Sequence, residues 1–126
     1  MPPKIMIVDD DEQILTLVEI MLRRQGYQVV KAPNPYAALE LLDSDLPDLA
    51  LLDYMMPGMN GLELCGQIRL HPKAGKIPVL MLSAVDSEEF SRQSSTAGAN
   101  GNIPKSEMHR RLLQEVHQYL PLAQSK

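Results

Sequence analysis

The chain has 126 residues, 44% of them apolar, with a formal net charge of −4 and a pI near 5.3. That length suits one domain with one real core. Its apolar runs fall far short of the ~20 residues of a membrane span, and the acidic balance argues against direct nucleic-acid binding.

The opening "MPPK" leads straight into a strand-like run without a small-residue cleavage site, so no signal peptide is expected. "KIMIV" (Lys4 to Val8) is apolar without alternation, as in a parallel strand covered on both faces. Glu12 to Arg24 carries Ile14, Leu17, Val18, Met21 and Leu22 at helical spacing, and Gly26 suits the left-handed position that closes such a helix. "YQVVKA" reads as a second strand, and "PYAALELLDS" as a second helix with Pro35 in its first turn. "LALLD" is a third strand, followed by "GLELCGQIRL", a third helix capped by Asn60. The lone cysteine, Cys65, lies on that helix and can form no internal disulfide. A small apolar role and a reducing cytoplasm are the expectation.

"IPVLMLSA" (Ile77 to Ala84) is a fourth strand. The next segment, "DSEEFSRQSSTAGA", offers only Val85, Phe90 and Ala97 as apolar anchors, so a short, poorly held fourth helix is predicted. "GNIP" is a brief fifth strand whose Pro104 suits only a sheet edge. "SEMHRRLLQEVHQYL" is a final helix capped by Ser106, with Met108, Leu112, Val116, Tyr119 and Leu120 on one face. Five strands alternating with five helices make an α/β, doubly wound parallel sheet within a single domain, residues 1–126. Its site belongs beyond the carboxyl ends of the strands.

The strand ends deliver a particular set of side chains. The first strand hands over Asp9 and Asp10, the third Asp53, the fourth Ser83 and the fifth Lys105. Asp11 and Glu12 are better read as helix-starting acids. Three carboxylates together repel one another unless a cation intervenes. All-oxygen ligands with room for water suit Mg²⁺. Asp53 is then a nucleophile toward phosphorus, with the metal and Lys105 holding the charge of the transferring group and Ser83 giving a hydrogen bond.

At these residues the chain resembles the receiver domain of two-component response regulators, from "IMIVDDDEQIL" through "PDLALLDYMMPGMNGLEL" and "IPVLMLSA" to "AGANGNIPK". The resemblance implies a flavodoxin-like sheet of strand order 2-1-3-4-5. It also implies that Asp53 accepts a phosphoryl group from a phosphohistidine on a sensor histidine kinase or a histidine phosphotransfer protein. Asp10, assisted by Asp9, would bind Mg²⁺ together with Asp53 and the Met55 backbone carbonyl. Ser83 and Lys105 would contact the phosphoryl oxygens. A downstream protein or a fused output domain would read the result, and the segment "LPLAQSK" fits a stand-alone domain and an excised one equally.

Two residues depart from the family. Asn102 stands where the fifth strand usually has an aromatic residue, and Ser106 where the lysine is normally followed by a cis-proline. A trans peptide and a re-routed loop are expected, because a cis bond before a non-proline residue costs about 2.5–4 kcal/mol. The chemistry therefore reads as intact and the readout as rewritten.

Smaller features have plainer readings. Met55 and Val85 are expected to flank the site and hinder water. Met56 and Met59 read as loop packing. His71, His109 and His117 lack metal-ligand spacing and are assigned to the surface, as are Arg110 and Arg111. Two rivals remain: a phosphatase of the haloacid-dehalogenase type using Asp9, although Gln13 stands where that motif wants Thr or Val, and a receiver-like scaffold that is never phosphorylated. A flavodoxin shares the fold, but its phosphate would meet an acidic first loop.

Overall fold

Short apolar runs form the sheet and amphipathic runs cover it, in the computed structural model that describes residues 2–122. In chain order the elements are β1 (Lys4–Val8), α1 (Glu12–Arg24), β2 (Gln28–Ala32), α2 (Pro35–Ser44), β3 (Leu49–Asp53) and α3 (Gly61–Leu70). They continue with β4 (Val79–Ser83), α4 (Glu88–Ala97), β5 (Gly101–Pro104), a 3₁₀ turn (Lys105–Glu107) and α5 (Met108–Tyr119). All pairings are parallel, in the order β2-β1-β3-β4-β5. The fold is the α/β, flavodoxin-like one expected. The last four residues of "LPLAQSK" lie outside the described residues.

Alternate residues of each strand face opposite sides, so the sheet has two cores. On one side Ile5, Ile7, Leu49, Leu51, Leu80 and Leu82 pack against α1 and α5. On the other, Met6, Val8, Ala50, Leu52, Val79 and Met81 meet α2, α3 and α4. The face of α5 is as predicted, with Met108, Leu112 and Val116 buried. In α1 the buried residues are Leu15, Val18 and Leu22, while Leu17 is 46% exposed. The true stripe is therefore rotated from the predicted one.

The caps explain the helix starts. Asp11 accepts the Gln13 N–H, Asn34 the Ala37 N–H, and Asn60 forms a reciprocal capping box with Glu63. Gly26 takes the predicted left-handed conformation at φ +101°. Ser106 is not a cap. It sits in the 3₁₀ turn, and α5 starts two residues later with no side-chain cap. That turn follows directly from Pro104 and redirects the chain at Lys105. No cis peptide occurs among the described residues.

Two polar residues are more committed than their surface assignment suggested. The His71 Nδ1 accepts the N–H groups of Lys73 and Ala74, so its Nε2 carries the proton donated to Asp43 at 2.8 Å. Arg111 donates to the Asn102 carbonyl and to Glu115. Arg69 has a role the sequence did not reveal: its guanidinium donates to the carbonyls of Gly75, Ile77 and Gly98 and to the Asn100 side chain. It thereby ties α3 to the loops before β4 and β5.

Candidate functional site

Register assembles the site. Val8 of β1 lies opposite Leu52 of β3, so Asp9 and Asp53, one residue further along, emerge side by side. Asp53 pairs with Leu82 of β4, and Ser83 with Pro104 of β5, which brings Ser83 and Lys105 to the same rim. One carboxylate oxygen from each of Asp9, Asp10 and Asp53 lies within 4.8 Å of the others. Lys105 Nζ stands 3.0 Å from Asp53 Oδ1 and 3.1 Å from Asp9 Oδ2. Because β5 is two strands from β3, only a long side chain leaving the strand end could span that gap.

The individual groups are well constrained. Asp9 is fully buried, and its Oδ1 accepts the Asp11 N–H at 2.9 Å. Its Oδ2 is buried without a hydrogen-bond donor, since Lys105 lies close but is not aligned to donate. Asp10 is exposed at the mouth. Ser83 is buried, and its Oγ accepts the Val85 N–H at 2.9 Å, which leaves its own proton free to donate. Met55 is 67% exposed and Val85 39% exposed. Val85 is thus no anchor for α4, contrary to expectation.

The "MMPGMNG" loop depends on two of its glycines. The Gly61 N–H donates to the Tyr54 carbonyl at 2.8 Å, closing the loop that carries Met55. A Cβ on Gly61 would lie 2.2 Å from the Asp53 carbonyl oxygen. Gly58 has φ +87°, a region L-residues rarely adopt.

Three carboxylates against one ammonium leave this rim short of positive charge. The donor set is all oxygen, and the undonated Asp9 Oδ2 faces it, so the residues fit a small hard cation such as Mg²⁺. Burial raises the Asp53 carboxyl to about 6, opposed by Lys105 and reinforced by Asp9 and Asp10. Lys105 is raised: burial alone would lower it, and its two acidic partners outweigh that.

These shifts carry a pH dependence for chelated protein. Between 3.8 and about 6 the unfolded chain has lost the Asp53 proton while the folded one retains it, so folding stability falls as pH rises through that window. Asp53→Asn is therefore expected to raise the melting temperature in EDTA above about pH 6 and to give no such gain below pH 3.8. Thermal unfolding checks this, and added Mg²⁺ should shrink the gain.

The fourth helix differs from its prediction. It has ten residues, as do α2 and α3, and is held by buried Phe90 and buried Ser94. The Ser94 hydroxyl donates to Asn102 Oδ1 at 2.9 Å. A serine not counted among the anchors is thus one of them, and the only sequence signal was the unusual Asn102 facing it.

Known proteins match this architecture. The sequence profile of the response regulator receiver domain fits residues 5–117. The chain is 37% identical over 120 residues to the uncharacterized transcriptional regulatory protein YrkP of Bacillus subtilis, covering 92% of this chain and 50% of that protein. It is 42% identical over 92 residues to the alkaline phosphatase synthesis transcriptional regulatory protein PhoP of the same organism, covering 73% of this chain and 37% of that one. The chain thus spans half or less of the length of these relatives. Among solved structures, the chemotaxis protein CheY4 of Vibrio cholerae superposes with a TM-score of 0.90 at 28% identity, over 95% of this chain and all of that one. A parallel sheet of this order, with acids, serine and lysine gathered at its carboxyl rim, and a profile match over most of the chain place this protein in the response regulator receiver domain family of two-component signalling.

Proposed function

We propose that Asp53 is the phosphoacceptor of a Mg²⁺-dependent phosphotransfer site. The observation that carries this is Lys105 Nζ, set between Asp9 and Asp53 where three carboxylates converge. The Asp53 oxygen attacks phosphorus, the P–N bond of a phosphohistidine breaks, and its electron pair returns to the imidazole. Lys105 holds the developing charge, and the free Ser83 proton is available to a phosphoryl oxygen. Asp9, Asp10, Asp53 and the Met55 carbonyl would hold Mg²⁺, which when bound neutralises the acids and the transferring oxygens.

Receiver domains work between histidine kinases and downstream output. For this chain the donor is a sensor histidine kinase or a histidine phosphotransfer protein, and the reader a downstream protein or a fused output domain. Residues 1–126 form one receiver domain that acts in the cytoplasm and makes no direct contact with nucleic acid. Supporting this, no helix among the described residues is long and apolar enough to cross a membrane, and the net charge is −4.

Mass mapping after treatment with acetyl phosphate and Mg²⁺ tests the proposal. The label is expected on the peptide containing Asp53 and absent from Asp53→Asn. Label on Asp9 would favour a phosphatase of the haloacid-dehalogenase type, and no label in the wild type would leave only a scaffold. Met55 and Val85, exposed beside the site, bear on how long the label lasts. Replacing both by small polar residues is expected to quicken dephosphorylation by letting water in. An unchanged decay rate in a label-loss time course would count against that role.

A further inference from the structure

The loop between Tyr54 and Gly61 bears the Met55 carbonyl, and most of its restraints come from its own ends or from the core. Tyr54 is fixed at both backbone groups: its N–H donates to the Leu82 carbonyl and its carbonyl accepts from Gly61. Asn60 is locked into the capping box of α3. Met56 is buried, and Met59 packs against the same core. Gly58, at the crest, has no side chain to anchor it. What meets it there is Tyr36, from the first turn of α2. A Cβ on Gly58 would lie 2.6 Å from Tyr36 Oη, 3.3 Å from Cε2 and 3.4 Å from Cζ. The outer end of the ring thus fills the space that a β-carbon would need.

Tyr36 sits on a rigid mount. Pro35 before it is buried, and Ala37 after it donates its N–H to the Asn34 cap at 2.8 Å. Yet Tyr36 itself is 55% exposed, so its ring adds little to the core and its placement calls for another reason. We propose that Tyr36 is a positioning residue for the metal site: its ring braces the crest at Gly58 and thereby steadies the Met55 carbonyl three residues upstream. Glycine gives the crest a conformational freedom that the ring takes back. That matters for a Mg²⁺ ligand, because this ion demands near-ideal geometry at short distances and a carbonyl that wanders loses affinity. The brace rests on the proposed function, in which the Met55 carbonyl is a metal ligand.

A calorimetric Mg²⁺ titration of the full chain tests this, beside hydrogen exchange of residues 55–60 in EDTA and urea unfolding. Tyr36→Leu keeps apolar bulk on α2 but cannot reach Gly58. It is expected to weaken Mg²⁺ binding about three- to tenfold, less than the roughly 10–100-fold usual for a group hydrogen-bonded to a metal ligand. Exchange of the loop amides should quicken about three- to tenfold as well, while the urea midpoint stays that of wild type. Tyr36→Phe retains the ring edge at Gly58 and is expected to match wild type in affinity and exchange. Wild-type affinity and exchange in Tyr36→Leu would overturn the brace, as would a phenylalanine variant impaired as much as the leucine one. A weaker metal site accompanied by a lowered urea midpoint would make Tyr36 a structural residue only, and overturns the proposal too. A wild type that binds no Mg²⁺ overturns the metal reading itself, a result separate from the loop exchange in EDTA.

Discussion

Exchange of Lys105 for methionine is expected to slow phosphoryl uptake by about 10²–10³-fold, the usual cost of removing one preorganised group that meets transition-state charge. Methionine keeps much of the length and apolar stem, so the 3₁₀ turn can persist. What it removes is the ammonium lying 3.0 Å from Asp53 and 3.1 Å from Asp9. It also removes the sole influence that draws the Asp53 carboxyl back toward ionisation, against burial and two neighbouring acids. The variant should nevertheless bind Mg²⁺ more tightly, because the acidic rim loses its competing positive charge. Slower uptake joined to tighter metal binding separates an electrostatic role from mere collapse of the pocket. Single-turnover uptake from acetyl phosphate and a Mg²⁺ titration measure the two. Equal weakening of both would assign Lys105 a structural role only.

Substitution of Gly61 by alanine is expected to cost about 3 kcal/mol of unfolding free energy, at the upper end of what overpacking usually does. The added Cβ would lie 2.7 Å from Met81 Cε, which can swing aside, and 2.2 Å from the backbone oxygen of Asp53, which cannot. Relief requires the start of α3 to withdraw, and that breaks the Gly61 N–H bond to Tyr54 closing the loop around Met55. The folded variant should therefore also bind Mg²⁺ more weakly. Urea unfolding measures the first effect and a metal titration the second. A stability loss with unchanged metal affinity would show that the loop moves without disturbing the acids.

Much of this architecture is written locally. Short, mostly apolar runs marked β1, β3 and β4 because both faces are covered, and the caps at Asp11 and Asn60 sat where helix-starting side chains belong. The rim residues were legible because each follows a strand end, and parallel register brings strand ends together. What escaped depends on contacts distant in sequence. Arg69 reads as one more basic residue of a helix, and its partners Gly98 and Asn100 lie 29 and 31 positions on. Ser94 was not counted as an anchor because a hydroxyl anchors a helix only when an acceptor faces it, and that acceptor sits on β5. The misplaced start of α5 has a similar origin: Ser106 is a good cap by type, but the turn at Lys105 uses that stretch first.

The outermost strands of the sheet have a further consequence for how the molecule behaves in company. A free strand margin invites pairing with another polypeptide, the seed of aggregation. Here β5 is only four residues long and ends in Pro104, whose ring nitrogen has no hydrogen to offer an incoming backbone. The opposite margin, β2, carries Lys31, whose exposed ammonium is paired with Glu19 and stays in water. Both borders are thus poorly suited to extension, which favours a molecule that stays separate at high concentration.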